Sequence, residues 1–328
     1  MSKLYEEALF PRIGYGAMGL SMGYGVADRT ESLKVLQYAA DANSAFIDSS
    51  DIYGNGHNEE LIGEWLAQNE GNRAKVFICT KFGFKSVNPP VICGKAEYVK
   101  KCCNASLKRL GVDFIDLYYQ HSIIVDPDTP IEETVTALAE LVKEGKVRYI
   151  GLSEASAENI RRAHKIHPIA AVQVEYSPWS TDIENNGVLQ TCIELGIVVV
   201  AYSPVGKGFL TGQYKSIDDF EQNDFRRSLP RFQGTAFEQN LKLVDALKEI
   251  AATKGCTVTQ LTLAWVCAQG PHIIPIPGTK KVSRLQENLG AAKVFLTESE
   301  NSAIRAVMAS IPVVGARYQP AQLALSFK

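Results

Sequence analysis

Phe46-Ile-Asp-Ser-Ser-Asp-Ile-Tyr-Gly54 is a short apolar run that stops on an acid. A carboxylate directly after β-prone residues marks the end of a strand, because a buried charge needs a partner that a strand's middle seldom offers. The same form recurs downstream. Val76-Phe-Ile-Cys-Thr-Lys-Phe-Gly83 ends near a lysine, and Asp116-Leu-Tyr-Tyr-Gln-His121 ends on a histidine. Working outward, eight such runs are read, at 12–17, 45–50, 76–81, 114–121, 147–153, 170–175, 197–202 and 272–276. Amphipathic stretches lie between and after them, at 30–43, 58–68, 95–110, 131–144, 157–167, 187–195, 238–269 and 282–292. Asp28 and Glu31 have the spacing of a capping box, and Gly111, Gly145 and Gly196 follow helices. This alternation predicts an α/β chain folded as a parallel (β/α)8 TIM barrel, with a doubly wound open sheet as the alternative.

At 328 residues, with 46% hydrophobic and 21% charged content, the chain can build one large core. Barrels of this kind run to roughly 250 residues and more as a single unit, and no Pro-, Gly- or Ser-rich linker divides this one. The net charge of −2 and the lack of a basic run argue against a nucleic-acid partner. No apolar run approaches the ~20 residues a membrane span needs, and the first residues do not read as a secretory signal. Seven cysteines with no CxxC pair suggest reduced thiols in the cytoplasm and no metal site. Residues 203–235 are polar and aperiodic, which in a compact domain marks a functional or disordered loop.

Gly14-Tyr-Gly-Ala-Met-Gly19 satisfies the G-x-G-x-x-G pattern of a dinucleotide-binding turn. That turn must open a helix, whereas Leu20-Ser-Met-Gly-Tyr-Gly25 is too glycine-rich to form one. The glycines are expected instead to let backbone approach a ligand at the barrel mouth.

Chemistry in such barrels gathers at the C-terminal strand ends. Asp48, Lys81 and His121 end three successive strands, and Tyr53 follows the second. Singly, each reads as a cap, a structural ion pair or a core side chain. Jointly they describe an acid. A free tyrosine has a pKa near ~10, a neighbouring ammonium draws it down, and a carboxylate holds that ammonium in place. A neutral histidine can donate a hydrogen bond to a carbonyl oxygen, so the set suits protonation of an alkoxide as it forms.

At these residues the chain resembles the aldo-keto reductase superfamily. The likeness is carried by Phe46–Gly54, Asn58-Glu-Glu-Leu-Ile-Gly63, Thr80-Lys-Phe-Gly83, the stretch from Leu107 to His121, Gly145–Glu154, Gln173-Val-Glu-Tyr-Ser177, Ala201-Tyr-Ser-Pro204 and Ile276-Pro-Gly-Thr-Lys280. It spans roughly residues 10 to 318 and implies that residues 1–328 form one domain. The resemblance implies NADPH-dependent reduction of aldehydes or ketones, with Tyr53 as general acid, Lys81 and Asp48 as its tuning pair, and His121 orienting the carbonyl. It further implies that Ser153 and Gln173 hold the nicotinamide carboxamide and that Tyr202 stacks on its ring. Ser203, Pro204, Gly206, Lys207, Gly208 and Leu210 would wrap the pyrophosphate in a cofactor-covering loop after the seventh strand.

Gly278-Thr-Lys-Lys-Val-Ser-Arg284 is a loop entering a helix N-terminus with cations beside it, which suits a phosphate. From the residues alone a solvated basic turn reads equally well. By the resemblance, Gly278 and Thr279 would contact the cofactor, Lys280 and Arg284 would bind the 2′-phosphate of NADPH, and Glu287 and Asn288 would meet the adenine. Two departures stand out: Lys207 where many relatives carry Arg, and Ser-Ile-Ile-Val after His121 where many have Arg and a shorter link.

Tyr24, Phe84, Trp179 and Tyr318 are the expected walls for a small carbonyl substrate: an aldehyde, dicarbonyl, aromatic carbonyl or pyridoxal. A monomer or weak homo-oligomer is expected. Two other functions fit the same residues: a cofactor-binding regulatory subunit resembling potassium-channel β subunits, and a barrel isomerase or lyase using Lys81 as a Schiff-base nucleophile.

Overall fold

The computed structural model describes residues 11–42, 44, 46–87, 90–121, 126 and 128–319. Eight parallel strands form one sheet: β1 (Tyr15–Gly16), β2 (Phe46–Asp48), β3 (Phe77–Phe82), β4 (Ile115–Gln120), β5 (Val147–Ser153), β6 (Ala171–Glu175), β7 (Val198–Tyr202) and β8 (Ile273–Pro275). Neighbours in the sheet follow chain order. The sheet closes on itself: Gly14 N–H donates to Pro275 O at 2.9 Å, and Gly16 bridges in parallel to Gly278. A sheet with this order and joined ends is a (β/α)8 barrel, and the open doubly wound alternative is excluded.

Closure explains the first glycine motif. A Cβ on Gly16 would lie 2.8 Å from the Ile276 carbonyl oxygen, and one on Gly14 would lie 3.0 Å from the Ile276 side chain. These glycines serve the approach of β1 to β8, a correction to their expected role against a ligand. A 3-10 turn over Met18–Leu20 follows, and no α-helix opens there.

The strands alternate between two cores, as the two-residue period requires. Phe46, Cys79, Leu117, Tyr119, Ala171, Val198, Val200 and Ile274 pack together inside the barrel. Their neighbours Ile47, Ile78, Tyr118, Val172, Val199 and Ile273 belong to the larger core shared with the helices. The helices are α1 (Arg29–Asp41), α2 (His57–Ala67), α3 (Ala96–Leu110), α4 (Ile131–Lys143), α5 (Ala157–Ile166), α6 (Val188–Leu195), α7 (Gly234–Lys254), α8 (Val258–Ala268), α9 (Val282–Gly290) and α10 (Glu298–Ser310). Helix α4 shows why they form. Glu132 and Glu133 favour its positive N-terminal end, Lys143 its last turn, and Ile131, Val135, Leu138 and Leu141 recur on the buried face. Among these described helices none is long and apolar enough to cross a membrane.

Three features depart from the reading of the sequence. The stretch 238–269 is two helices, because Gly255 turns left-handed (φ +73°) and Thr257 with Gln260 forms a fresh capping box. Helix α10 was not expected, although Thr297 and Glu300 cap it with the same signature. A hairpin of Phe84–Val87 with Pro90–Ile92 follows β3. The aperiodic loop after β7 is ordered by an aromatic cluster. Trp179 stacks on Phe209 with ring centroids 4.5 Å apart, and Phe220, Phe232 and Phe237 pack around them. Arg226 staples the loop by donating to the Lys207 carbonyl at 2.8 Å while pairing with Asp224.

Candidate active site

Strand parity decides which side chains reach the mouth. Asp48 shares the inner face of β2 with Phe46, Lys81 that of β3 with Cys79, and Gln173 and Glu175 that of β6 with Ala171. The polar ends thus sit directly above the apolar plug. Lys81 is fully buried, and its ammonium donates to Asp48 Oδ1 at 2.5 Å, to the Ser49 carbonyl at 2.6 Å and to the Tyr53 hydroxyl at 3.3 Å. Gln173 reaches from the far side of the barrel to donate to Asp48 Oδ2 at 2.7 Å. Tyr53 and His121 meet edge to face, with centroids 6.1 Å apart, and Phe84 also meets the imidazole edge to face at 5.2 Å. All four predicted residues therefore converge.

Burial and charge fix their protonation. Burial alone would lower the pKa of Lys81, but Asp48 and Tyr53 outweigh it and the net direction is up, so an ammonium persists. Burial raises the Asp48 carboxyl, held back by Lys81 and Gln173. Burial also raises Tyr53, against the opposing pull of Lys81. The expected net lowering of this tyrosine is therefore corrected. Lys81 limits the rise, and the residue is held as a phenol with a proton to give. Burial, then Lys81, drives His121 well below its ordinary value, so the ring is neutral at physiological pH.

Beside this group, Ser153 and Gln173 are register partners on β5 and β6, and Tyr202 ends β7. Past it, Ser203 and Lys207 adopt left-handed backbone (φ +48° and +55°), as do Gly206 and Gly208. The Lys207 ammonium is buried against Glu175, 2.8 Å from both oxygens. Arg317 joins the same cluster through Glu154 at 3.0 Å and Glu175 at 3.6 Å. Tyr318 lies on Lys207 and meets the Tyr202 hydroxyl at 3.2 Å.

The aldo/keto reductase family model matches residues 12–309. The chain belongs to the aldo-keto reductase family. It is 51% identical over 319 residues to aldo-keto reductase str7 of Strobilurus tenacellus, covering 95% of this chain and 93% of that protein. It is 49% identical to aldo-keto reductase yakc [NADP(+)] of Schizosaccharomyces pombe, covering 94% and 92%. Among solved structures it is similar to a glycerol dehydrogenase from Gluconobacter oxydans, with TM-score 0.83, 27% identity and 94% of each chain covered. It is also similar to an aldo/keto reductase from Klebsiella pneumoniae in complex with NADP and acetate, with TM-score 0.70, 26% identity and 96% of each chain covered. This reductase is an NADPH-dependent oxidoreductase acting on carbonyl and alcohol groups. Nothing in the comparisons supports the channel-subunit alternative.

The residues present fit the dinucleotide. Helix α9 starts at Val282 with no side chain capping its first N–H groups, and the exposed Arg284 stands in its first turn, a donor set suited to a phosphate. Lys280 is partly committed elsewhere, since its ammonium donates to the carbonyls of Tyr24 at 2.6 Å and Val26 at 3.1 Å. It ties the loop after β1 to the loop after β8. Thr279 O accepts from the Tyr15 hydroxyl at 2.7 Å, and Asn288 is buried on α9 while Glu287 is partly exposed.

Of the expected substrate walls, Phe84 touches His121 and Tyr318 touches Tyr202. Trp179 is a correction: it is buried in the aromatic cluster beneath the loop. A cavity of about 340 Å³ lies on the rim between Ser21, Val26, His57 and Asn223, and no tetrad residue lines it. Residues 122–125, where a departure from the family pattern is expected, lie outside the described residues. Glu154 and Glu175 were missed by sequence reasoning, although both are acids at strand ends and the rule that found Asp48 finds them too.

Proposed function

We propose that the reductase takes small, mostly neutral aldehydes, with Tyr53 protonating the nascent alkoxide and His121 orienting the carbonyl. The observation that carries this reading is the fully buried Lys81 ammonium, shared between Asp48, the Ser49 carbonyl and the Tyr53 hydroxyl. When bound, NADPH supplies the hydride. The protein's own part is to hold a phenol proton and a neutral imidazole N–H at one point, in a pocket walled by Phe84, Tyr24 and Tyr318.

The roles divide by position. Asp48, held by Gln173, fixes the Lys81 ammonium, which stabilises the phenolate that Tyr53 becomes after giving up its proton. Ser153 and Gln173 would take the carboxamide end of the cofactor, with Tyr202 beside them. The left-handed turn at 203–208 and Leu210 would follow the pyrophosphate. Gly278 and Thr279 would contact the cofactor, and Lys280 and Arg284 would meet the 2′-phosphate, with Glu287 and Asn288 toward the adenine. In this arrangement Lys207 acts on the loop through Glu175 rather than as a free cation.

The test is the loss of nicotinamide absorbance on mixing the purified protein with NADPH and a panel of aliphatic, aromatic and dicarbonyl substrates, pyridoxal included, with NADH in parallel. Turnover with NADPH and an aromatic or α-dicarbonyl aldehyde supports the reading. Turnover of polar, charged carbonyls alone would contradict the neutral pocket. Trapping of substrate on Lys81 by borohydride would favour Schiff-base chemistry instead, which the Asp48 pairing of that ammonium opposes.

A further inference from the structure

Next to His121 lies a short chain of polar atoms that the tetrad does not use. Ser50 is fully buried, with its Oγ 3.0 Å from His121 Nδ1 and 3.4 Å from Asp51 Oδ1. The backbone holds these residues in place. Ser49 N–H donates to Cys79 O at 2.8 Å and Asp51 N–H to Lys81 O at 3.2 Å, continuing the β2–β3 pairing past Asp48.

A serine hydroxyl carries one hydrogen, so Ser50 donates to one of its two neighbours and accepts from the other. Two arrangements satisfy the chain. In the first, a protonated Asp51 donates to Ser50, Ser50 donates to Nδ1, and the ring proton of His121 sits on Nε2. In the second, Ser50 donates to the Asp51 carboxylate and accepts from Nδ1–H, leaving Nε2 a bare acceptor. Going from first to second, the Asp51 proton passes to Ser50, the Ser50 proton passes to Nδ1, and Nε2 gives its proton to water. The neutral ring makes the difference visible, because an imidazolium would donate from both nitrogens.

We propose that Ser50 is a positioning residue that selects the tautomer of His121, and that Asp51 sets the choice through it. This rests on the reading of His121 as the group that orients the carbonyl, since only the Nε2–H form can donate to a substrate oxygen while Nδ1 faces Ser50. The surroundings of Asp51 put the choice in a useful range. Burial, and then the charge of Glu59 on α2, push its carboxyl up to about 7, against Arg109 on α3, the Ser50 hydroxyl and the Ile52 N–H. Tyr98 and Cys102 on α3, Tyr118 on β4 and Tyr53 also face its charge. Lys81 is the cation that faces His121. Glu59 itself is buried, with Arg109 donating to its carboxylate at 2.7 Å and Thr80 at 2.6 Å.

The experiment is long-range proton–nitrogen correlation of the histidine rings in the full chain, with His121 assigned by its loss in His121→Asn. Spectra are taken on either side of pH about 7 for wild type, Ser50→Ala and Asp51→Asn. Wild type is expected to change from the Nε2–H toward the Nδ1–H form as pH rises. Asp51→Asn, whose amide can donate at any pH, is expected to keep the Nε2–H form throughout, and Ser50→Ala to abolish the change. Nitrogen shifts of His121 that are the same in all three proteins at both pH values overturn the proposal. In parallel, kcat/KM for aldehyde reduction is expected to fall about tenfold across this range in wild type and to stay level in Asp51→Asn, the loss of roughly one neutral hydrogen bond to the reacting oxygen. If the spectra behave as expected while kcat/KM stays level in wild type, Ser50 still selects the tautomer and the carbonyl-orienting reading of His121 fails.

Discussion

Lys207 donates to both carboxylate oxygens of Glu175 at 2.8 Å, so the loop after β7 is pinned to the end of β6 by a buried ion pair. Burial works against ionisation of both partners, and the pair persists because each holds the other. For Glu175 the attraction of Lys207 and Arg317 wins over burial, and its pKa falls below the ordinary carboxylate value. Replacing Lys207 by Met leaves Glu175 with Arg317 and the Ser180 hydroxyl and is expected to cost about 2–4 kcal/mol. Urea unfolding checks it. The double change with Glu175→Gln should cost less than the two single changes added together, and a strictly additive result would show that the contact is not coupled.

Tyr53→Phe removes the phenol proton while keeping the ring against His121. Reduction should fall by about 10²–10⁴-fold, with NADPH affinity from fluorescence titration nearly unchanged. Wild-type turnover in this variant would rule out its acid role.

Cofactor choice separates two cations. Arg284 is exposed in the first turn of α9, so Arg284→Gln should raise the KM for NADPH roughly 10-fold or more and leave that for NADH alone, as loss of a charge-assisted phosphate contact would. Lys280 also ties down the Tyr24–Val26 loop, so Lys280→Met should weaken both cofactors. Equal effects of the two variants on NADPH and NADH would remove the assignment of Arg284 to the 2′-phosphate.

His121 links stability to pH. Its folded pKa lies below the unfolded value of about 6.5, so the stability it contributes is fully present above that pH and is lost as pH falls below it. The slope from one such group reaches about 1.4 kcal/mol per pH unit. His164 and His272 are depressed by burial as well and add to the slope. Denaturant titrations below pH ~6.5 should be less steep in His121→Asn by roughly one proton.

Gly16→Ala tests closure. The added Cβ would meet the Ile276 carbonyl oxygen at 2.8 Å, a backbone atom that cannot swing aside, and should cost about 1–3 kcal/mol in unfolding free energy. The same change at Gly111, where a Cβ meets open space, isolates the cost of left-handed backbone alone.

Much of this protein is written locally. The period of two in the strands, the period near four in the helices, and the acids, lysine and histidine that end three strands specify the barrel and its four central residues without reference to distant parts of the chain. Each is a short-range pattern, and a closed ring of parallel strands brings strand ends to one mouth whatever their separation in sequence. Tertiary structure decided what the patterns leave open. Whether Lys81 lowers or merely restrains the Tyr53 pKa depends on how far water is excluded, and burial is a property of the whole mouth. Lys207 is claimed by Glu175, and Lys280 by carbonyls 254 and 256 residues away, because charge pairing follows distance in space. Gln173 reaches Asp48 across the barrel for the same reason. The sequence alone determined which chemistry the mouth could hold; only the fold determined which partner each charge and each hydrogen would take.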